Sequence, residues 1–130
     1  IYGDGQRFSL SLVLDLAKGL AAVGEHLHAR GILHGDFYAH NVLYRPEGAC
    51  YLGDFGAASF YPPQAGGDTN PFEALEVRAF GCLLDELLQR LEPGHHVLLP
   101  SLKALQRRCM EPVAASRPRF AELVATLESL

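Results

Sequence analysis

The chain has 130 residues, 48% of them hydrophobic and 20% charged, with a net charge of −4 at pH 7. That is enough for one domain, 1–130, with a real core. The acidic balance and scattered basic residues argue against nucleic acid or an anionic membrane as partner. No apolar run approaches the ~18 residues of a membrane span, and no basic-then-apolar leader is visible. Cys50, Cys82 and Cys109 form no C-x-x-C and leave an odd count. This speaks against a disulfide framework or a zinc site and for a reducing, cytoplasmic compartment. The chain begins at Ile1 rather than Met, and a piece of a longer polypeptide is expected.

From Ser9 to Arg30 the pattern is helical: Val13, Leu16, Ala17, Leu20, Gly24 and Leu27 share one face, Ser9 or Ser11 can cap the start, and Gly31 stops it. Two β-prone runs follow, Val42-Leu43-Tyr44 and Cys50-Tyr51-Leu52, around the turn at Arg45–Gly48. They predict a small hairpin. Residues 56–72, rich in Gly, Pro, Ala and Asn, read as an irregular loop. From Glu76 to Leu91 the apolar positions Phe80, Leu83, Leu84, Leu87, Leu88 and Leu91 predict a central, mostly buried helix with Cys82 buried on it. Pro100-Ser101 opens another helix, with Leu102, Leu105 and Cys109 inward. Pro118, as a first helical residue, starts the last, with Phe120, Leu123, Val124 and Leu127 on its apolar side. The fold class is therefore mainly α with one small β-hairpin.

Polar residues flank that hairpin on both sides. Asp36 and Asn41 lie before it in His34-Gly35-Asp36-Phe37-Tyr38-Ala39-His40-Asn41, and Asp54 follows it in Gly53-Asp54-Phe55-Gly56. Phosphoryl transfer from a nucleotide needs hard oxygen ligands for Mg²⁺ and a carboxylate to orient and deprotonate the acceptor hydroxyl. A hairpin that returns Asp54 beside the Asp36–Asn41 loop would bring these groups to one edge.

An Asp, four residues, an Asn, a hairpin and then Asp-Phe-Gly resembles the catalytic and metal loops of protein kinases. Three further stretches are similar in order. Leu27-His28 through His34 is similar to L-H-x-x-G-I-x-H, Glu76 through Gly81 to D-x-W-x-x-G, and Cys109 through Phe120 to C-x-x-x-x-P-x-x-R-P-x-F. The resemblance covers about residues 9–130 and implies the helical C-lobe of a compact, bacterial-type kinase fold, with its ATP-binding N-lobe absent from this chain. It implies ATP and Mg²⁺ as cofactors and a protein substrate, Ser/Thr more than Tyr. Asp36 would be the catalytic base, Asn41 and Asp54 the metal ligands, and Leu43 would lie beneath the adenine. His34 and Phe55 would stack in the supporting hydrophobic column, and the isolated chain would be inactive without its N-lobe.

The pattern also departs from the family. Gly35 replaces the Arg of H-R-D, which weakens the case for control by a phosphorylated activation loop. Tyr38 stands where Ser/Thr kinases usually place a Lys, and His40 is a candidate substitute cation. Pro71-Phe72-Glu73 is the nearest counterpart of A-P-E, with Glu73 expected to pair with Arg117. His26 and His28, at i and i+2 on a helix, cannot easily chelate one ion, and His95-His96 reads as a solvated pair. Two other functions stay open: a pseudokinase scaffold, and a small-molecule phosphotransferase of the aminoglycoside or choline kind, where H-G-D also occurs.

Overall fold

The computed structural model describes residues 6–38, 41–61 and 70–130. Helix α1 (Leu10–His28) begins where the Ser9 hydroxyl accepts the Leu12 N–H, an N-cap that satisfies one of the helix's orphan donors. It ends before Gly31, whose φ of +69° suits glycine. Every residue predicted for its inward face is buried. Strand β1 (Ile32–Leu33) follows, then the hairpin of β2 (Val42–Tyr44) and β3 (Cys50–Leu52), in register Val42↔Leu52.

Of the stretch 56–72, expected as an irregular loop, residues 62–69 lie outside the described residues, and the described part carries regular structure. A 3₁₀ turn (Phe55–Ala57) leads into β4 (Ser59–Phe60), which pairs antiparallel with β1. Helix α2 (Pro71–Gln89) starts five residues earlier than the apolar period predicts and stops before Leu91. Asn70 caps it through the Phe72 N–H, Pro71 sits where a missing N–H costs nothing, and Glu73 lies in the first turn. Helix α3 (Leu99–Cys109) buries Leu102, Leu105 and Cys109 as expected. Helix α4 (Phe120–Glu128) begins two residues after Pro118, with Phe120, Leu123 and Leu127 buried and Val124 at the margin.

The helices α1, α2 and α4 enclose one core, with α3 closing it against α2. Gly24 of α1 marks a close helix approach: a Cβ there would meet the Phe120 ring at 2.7 Å. Phe8 ties the start of the chain to the end of α2 by two backbone hydrogen bonds, to Arg90 and from Glu92, each 2.8 Å. Among the described residues no helix is long and apolar enough to cross a membrane.

Candidate active site

The loop between β1 and β2 is held from beneath by His34. Its ring is fully buried, Nε2 lies 2.7 Å from the Gly53 carbonyl, and Nδ1 accepts the Asp36 N–H at 3.2 Å. A carbonyl only accepts, so the proton belongs on Nε2. The loop then closes on itself. Asn41 donates from Nδ2 to both the carbonyl (2.8 Å) and the carboxylate (2.9 Å) of Asp36, and the Tyr38 N–H also bonds the Asp36 carbonyl. The Asn41 carbonyl in turn accepts the Gly53 N–H at 2.8 Å, which anchors the residue just before Asp54. Asp36 and Asn41 are thus in direct contact, with Asp54 one residue from the anchor.

Asp54 has φ +53° and ψ +75°, the one non-glycine with positive φ among the described residues. Asp tolerates that region better than most residues, and its cost is about 1 kcal/mol or more. The turn bends the Asp54 carboxylate back onto the Gly56 N–H at 3.2 Å, and the side chain is otherwise exposed. Leu43 is 69% exposed on the outer side of the hairpin. Phe55 meets His34 edge-on at 4.7 Å, and the contacts continue inward through Phe37, Phe120 and His28 at 6.2, 5.6 and 5.0 Å. The expected His34–Phe55 stack is therefore one end of a chain of rings through the core. His40 lies outside the described residues.

Gly35 adopts φ +87°, and a Cβ there would lie 2.3 Å from the Ala57 carbonyl oxygen. Its N–H is donated to Glu76 Oε2 at 2.7 Å. Glu76 is buried on α2, and its other oxygen takes His28 Nε2 at 2.8 Å. Burial pushes the Glu76 carboxyl up, but hydrogen bonds from His28 and the amides of Gly35 and His34 outweigh it and hold it below its ordinary value. His28 Nδ1 faces Glu73 at 3.5 Å.

The pairing of Glu73 differs from expectation. Its carboxylate meets Arg119 at 3.1 Å, while Arg117 donates to the backbone carbonyls of Glu111 (2.8 Å) and Ala74 (3.0 Å). Arg117 has turned to close the end of α3 onto α2, and Arg119, at the start of α4, is the residue that reaches Glu73. Tyr61 sits above the same cluster: its hydroxyl donates to the His28 carbonyl at 3.0 Å. Burial, with the Glu73 carboxylate beside it, pushes that phenol above its ordinary value. His28, Glu73 and Glu76 each lie in a stretch singled out in the sequence, but their meeting is not legible there, because contacts between distant segments have no periodic signal. Cys82 is half-buried rather than buried, with Sγ 3.8 Å from Met110 Sδ.

Among the described residues no three His, Cys, Asp or Glu side chains converge to hold a metal. The available donors are different: the Asp54 carboxylate and the Asn41 amide oxygen. The Asn41 nitrogen is committed to Asp36, its oxygen has no partner among the described residues, and no buried side-chain polar atom there is left unsatisfied, so that oxygen reaches solvent. One carboxylate and one amide oxygen make an incomplete site for a transition metal. They are hard oxygen donors of the kind Mg²⁺ takes, an ion that usually keeps several waters and adds phosphate oxygens as ligands.

No protein-family model matches the sequence. The chain is 25% identical to the serine/threonine-protein kinase A-Raf of Homo sapiens, and equally to that of Mus musculus, over 171 aligned positions. That covers 95% of this chain and 28% of A-Raf. It is also 25% identical to the serine/threonine/tyrosine-protein kinase HT1 of Arabidopsis thaliana, covering 92% of this chain and 39% of HT1. The 171 positions exceed the 130 residues of the chain, so the A-Raf alignment carries gaps. The chain spans well under half the length of these relatives. Its relationship to protein kinases is distant and extends over most of its length.

Proposed function

We propose that this chain is the helical lobe of a protein kinase, transferring the γ-phosphoryl group of ATP to protein hydroxyls, Ser or Thr before Tyr. The observation that carries the reading is the closed loop in which Asn41 holds both the carbonyl and the carboxylate of Asp36, next to the anchored turn of Asp54. Similarity to two kinase relatives over more than nine-tenths of the chain supports it.

Each residue has a part. Asp36, fixed by Asn41, accepts the proton of the acceptor hydroxyl. Asn41 and Asp54 hold Mg²⁺ through the oxygens described above. The bound ion supplies charge neutralisation for the phosphates. Leu43, exposed on the hairpin, forms the floor for the adenine, and a second lobe elsewhere in the parent polypeptide covers the nucleotide. His34 sets the loop from below, and the Glu76–Gly35 bond fixes its height over α2. The isolated chain offers the nucleotide one side only and is inactive.

The test is the parent polypeptide incubated with Mg-ATP, a protein acceptor and a mixture of small alcohols and aminoglycosides. Label in protein supports the reading, and label confined to a small molecule overturns it in favour of a small-molecule phosphotransferase. A second reading, a scaffold without transfer, is favoured by Tyr38, a neutral side chain where the resemblance expects a Lys. Nucleotide binding with no label in either fraction would favour that scaffold.

A further inference from the structure

Beside the Asp36 loop lies a cleft of about 310 Å³. Its wall includes Gly35 and Tyr38 from the loop and Phe72, Leu75, Arg78 and Cys82 from α2. Both neighbours of Asp36 in the chain, Gly35 and Phe37, line it. Its apolar groups stand in water: Phe72 is 46% and Leu75 63% exposed, on a helix whose opposite face is fully buried.

The charges in the cleft are unbalanced. Glu76 also lines it, but both its oxygens are engaged, one by His28 and one by Gly35. Arg78 is exposed and has no hydrogen bond or ion pair among the described residues. Among the described residues, what remains is an apolar trough with one uncommitted cation, Arg78. The α2 positions 72, 75, 78 and 82 recur at three and four, so they form one stripe along the helix. From 72 to 82 that stripe is about 15 Å long at 1.5 Å per residue. An extended segment of about four or five residues spans the same length.

We propose that this cleft seats the acceptor segment, an extended polypeptide stretch with an apolar side chain against Phe72 and Leu75 and an acidic side chain on Arg78. The assignment rests on the phosphoryl-transfer reading above and adds the substrate class. Continuity favours it: the stripe on α2 meets the loop on either side of Asp36. Charge favours it as well, since a guanidinium pairs a carboxylate through two parallel hydrogen bonds and no side chain of this molecule among the described residues occupies that place.

The experiment uses the parent polypeptide and two fluorescent peptides, each with one Ser-Leu, flanked by Asp in one and by Lys in the other. Binding is read by anisotropy and transfer by phosphopeptide formation, for wild type, Arg78→Gln and Arg78→Glu. The cleft predicts about fivefold tighter binding of the Asp peptide by wild type, a lost preference in Arg78→Gln and a reversed one in Arg78→Glu. Equal binding of both peptides, or a preference unchanged in Arg78→Glu, overturns it. An Arg78-dependent preference without phosphorylation keeps the cleft and removes the transfer reading. Phosphorylation of both peptides with the same KM in all three proteins does the opposite.

Discussion

Glu76 on α2 and Gly35 in the loop before β2, 41 residues apart, are joined by a 2.7 Å hydrogen bond from the Gly35 amide to Oε2. That bond makes the position of Asp36 a property of the helix core rather than of the loop alone. A carboxylate accepting a buried amide contributes more than a neutral acceptor would, and about 1.5–3 kcal/mol is at stake. Glu76→Ala should lower unfolding free energy by that amount. The Gly35 amide should also exchange with solvent faster in the variant, relative to those of α1, and unchanged protection at Gly35 would contradict the role.

The same carboxylate gives the fold a definite acid sensitivity. Its folded pKa lies below its ordinary value, so its stabilisation is present above the unfolded pKa, about 4.3. It is lost as pH falls through the depressed folded value. Chemical denaturation between pH 6 and pH 3 should show a stability decline that flattens in Glu76→Gln. An identical slope in both proteins would mean that another group carries the acid transition.

Gly35 is held by backbone conformation and by the Ala57 carbonyl at once. Gly35→Ala should cost about 1–3 kcal/mol from the positive φ alone, with a further loss because Ala57 must move. Gly94 also has positive φ, +132°, but nothing lies within 4 Å of the place a methyl group would take there, so Gly94→Ala isolates the conformational part. Equal losses at the two sites, read by thermal melting, would show that the contact with the Asp54-Phe55-Gly56-Ala57 turn is immaterial.

Two arginines compete for Glu73, and only one reaches it. A double-mutant cycle of Glu73→Gln with Arg119→Ala should give a coupling of up to about 1 kcal/mol, since the Arg119 side chain is 56% exposed and solvent screens the pair. The cycle with Arg117→Ala should give a coupling near zero. Arg117→Ala should still destabilise on its own, by leaving the carbonyls of Ala74 and Glu111 without their donor.

Cys109 is fully buried against α2, and burial pushes its thiol up to about 12. It should resist a thiol reagent at pH 8 in the folded protein and react only on unfolding, which makes its labelling rate a direct readout of global opening. Labelling as fast as in an unfolded control would contradict the packing of α3 on α2.

Much of this architecture is legible in the sequence because it is local. The Ser9 cap, the apolar period of α1, the Arg45–Gly48 turn and the inward positions of α3 each depend on residues a few places apart, and each is found where expected. The pairing of β1 with β4 is not legible: two two-residue strands 26 positions apart carry no pattern of their own. The early start of α2 does leave a local signal. Asn70-Pro71 followed by Glu73 is a helix opening in cap, first residue and acidic first turn, but the apolar stripe begins only later and places the start too late. In the site, the spacing of Asp36 and Asn41 anticipates their contact. Which arginine meets Glu73, and that His28 lies between two carboxylates, depends on how α1, α2 and α4 cross.

The central claim is that Asp36 takes the acceptor proton, and a single-turnover measurement tests it most directly. The parent polypeptide and its Asp36→Asn variant are mixed with Mg-ATP and a protein acceptor, and phosphoprotein is quantified after quench. Asp36→Asn keeps the side-chain shape and the Asn41 contact to the backbone carbonyl. The account predicts retained fold and nucleotide binding with transfer slowed by about 10²–10⁴-fold. Transfer by the variant at the wild-type rate would contradict it.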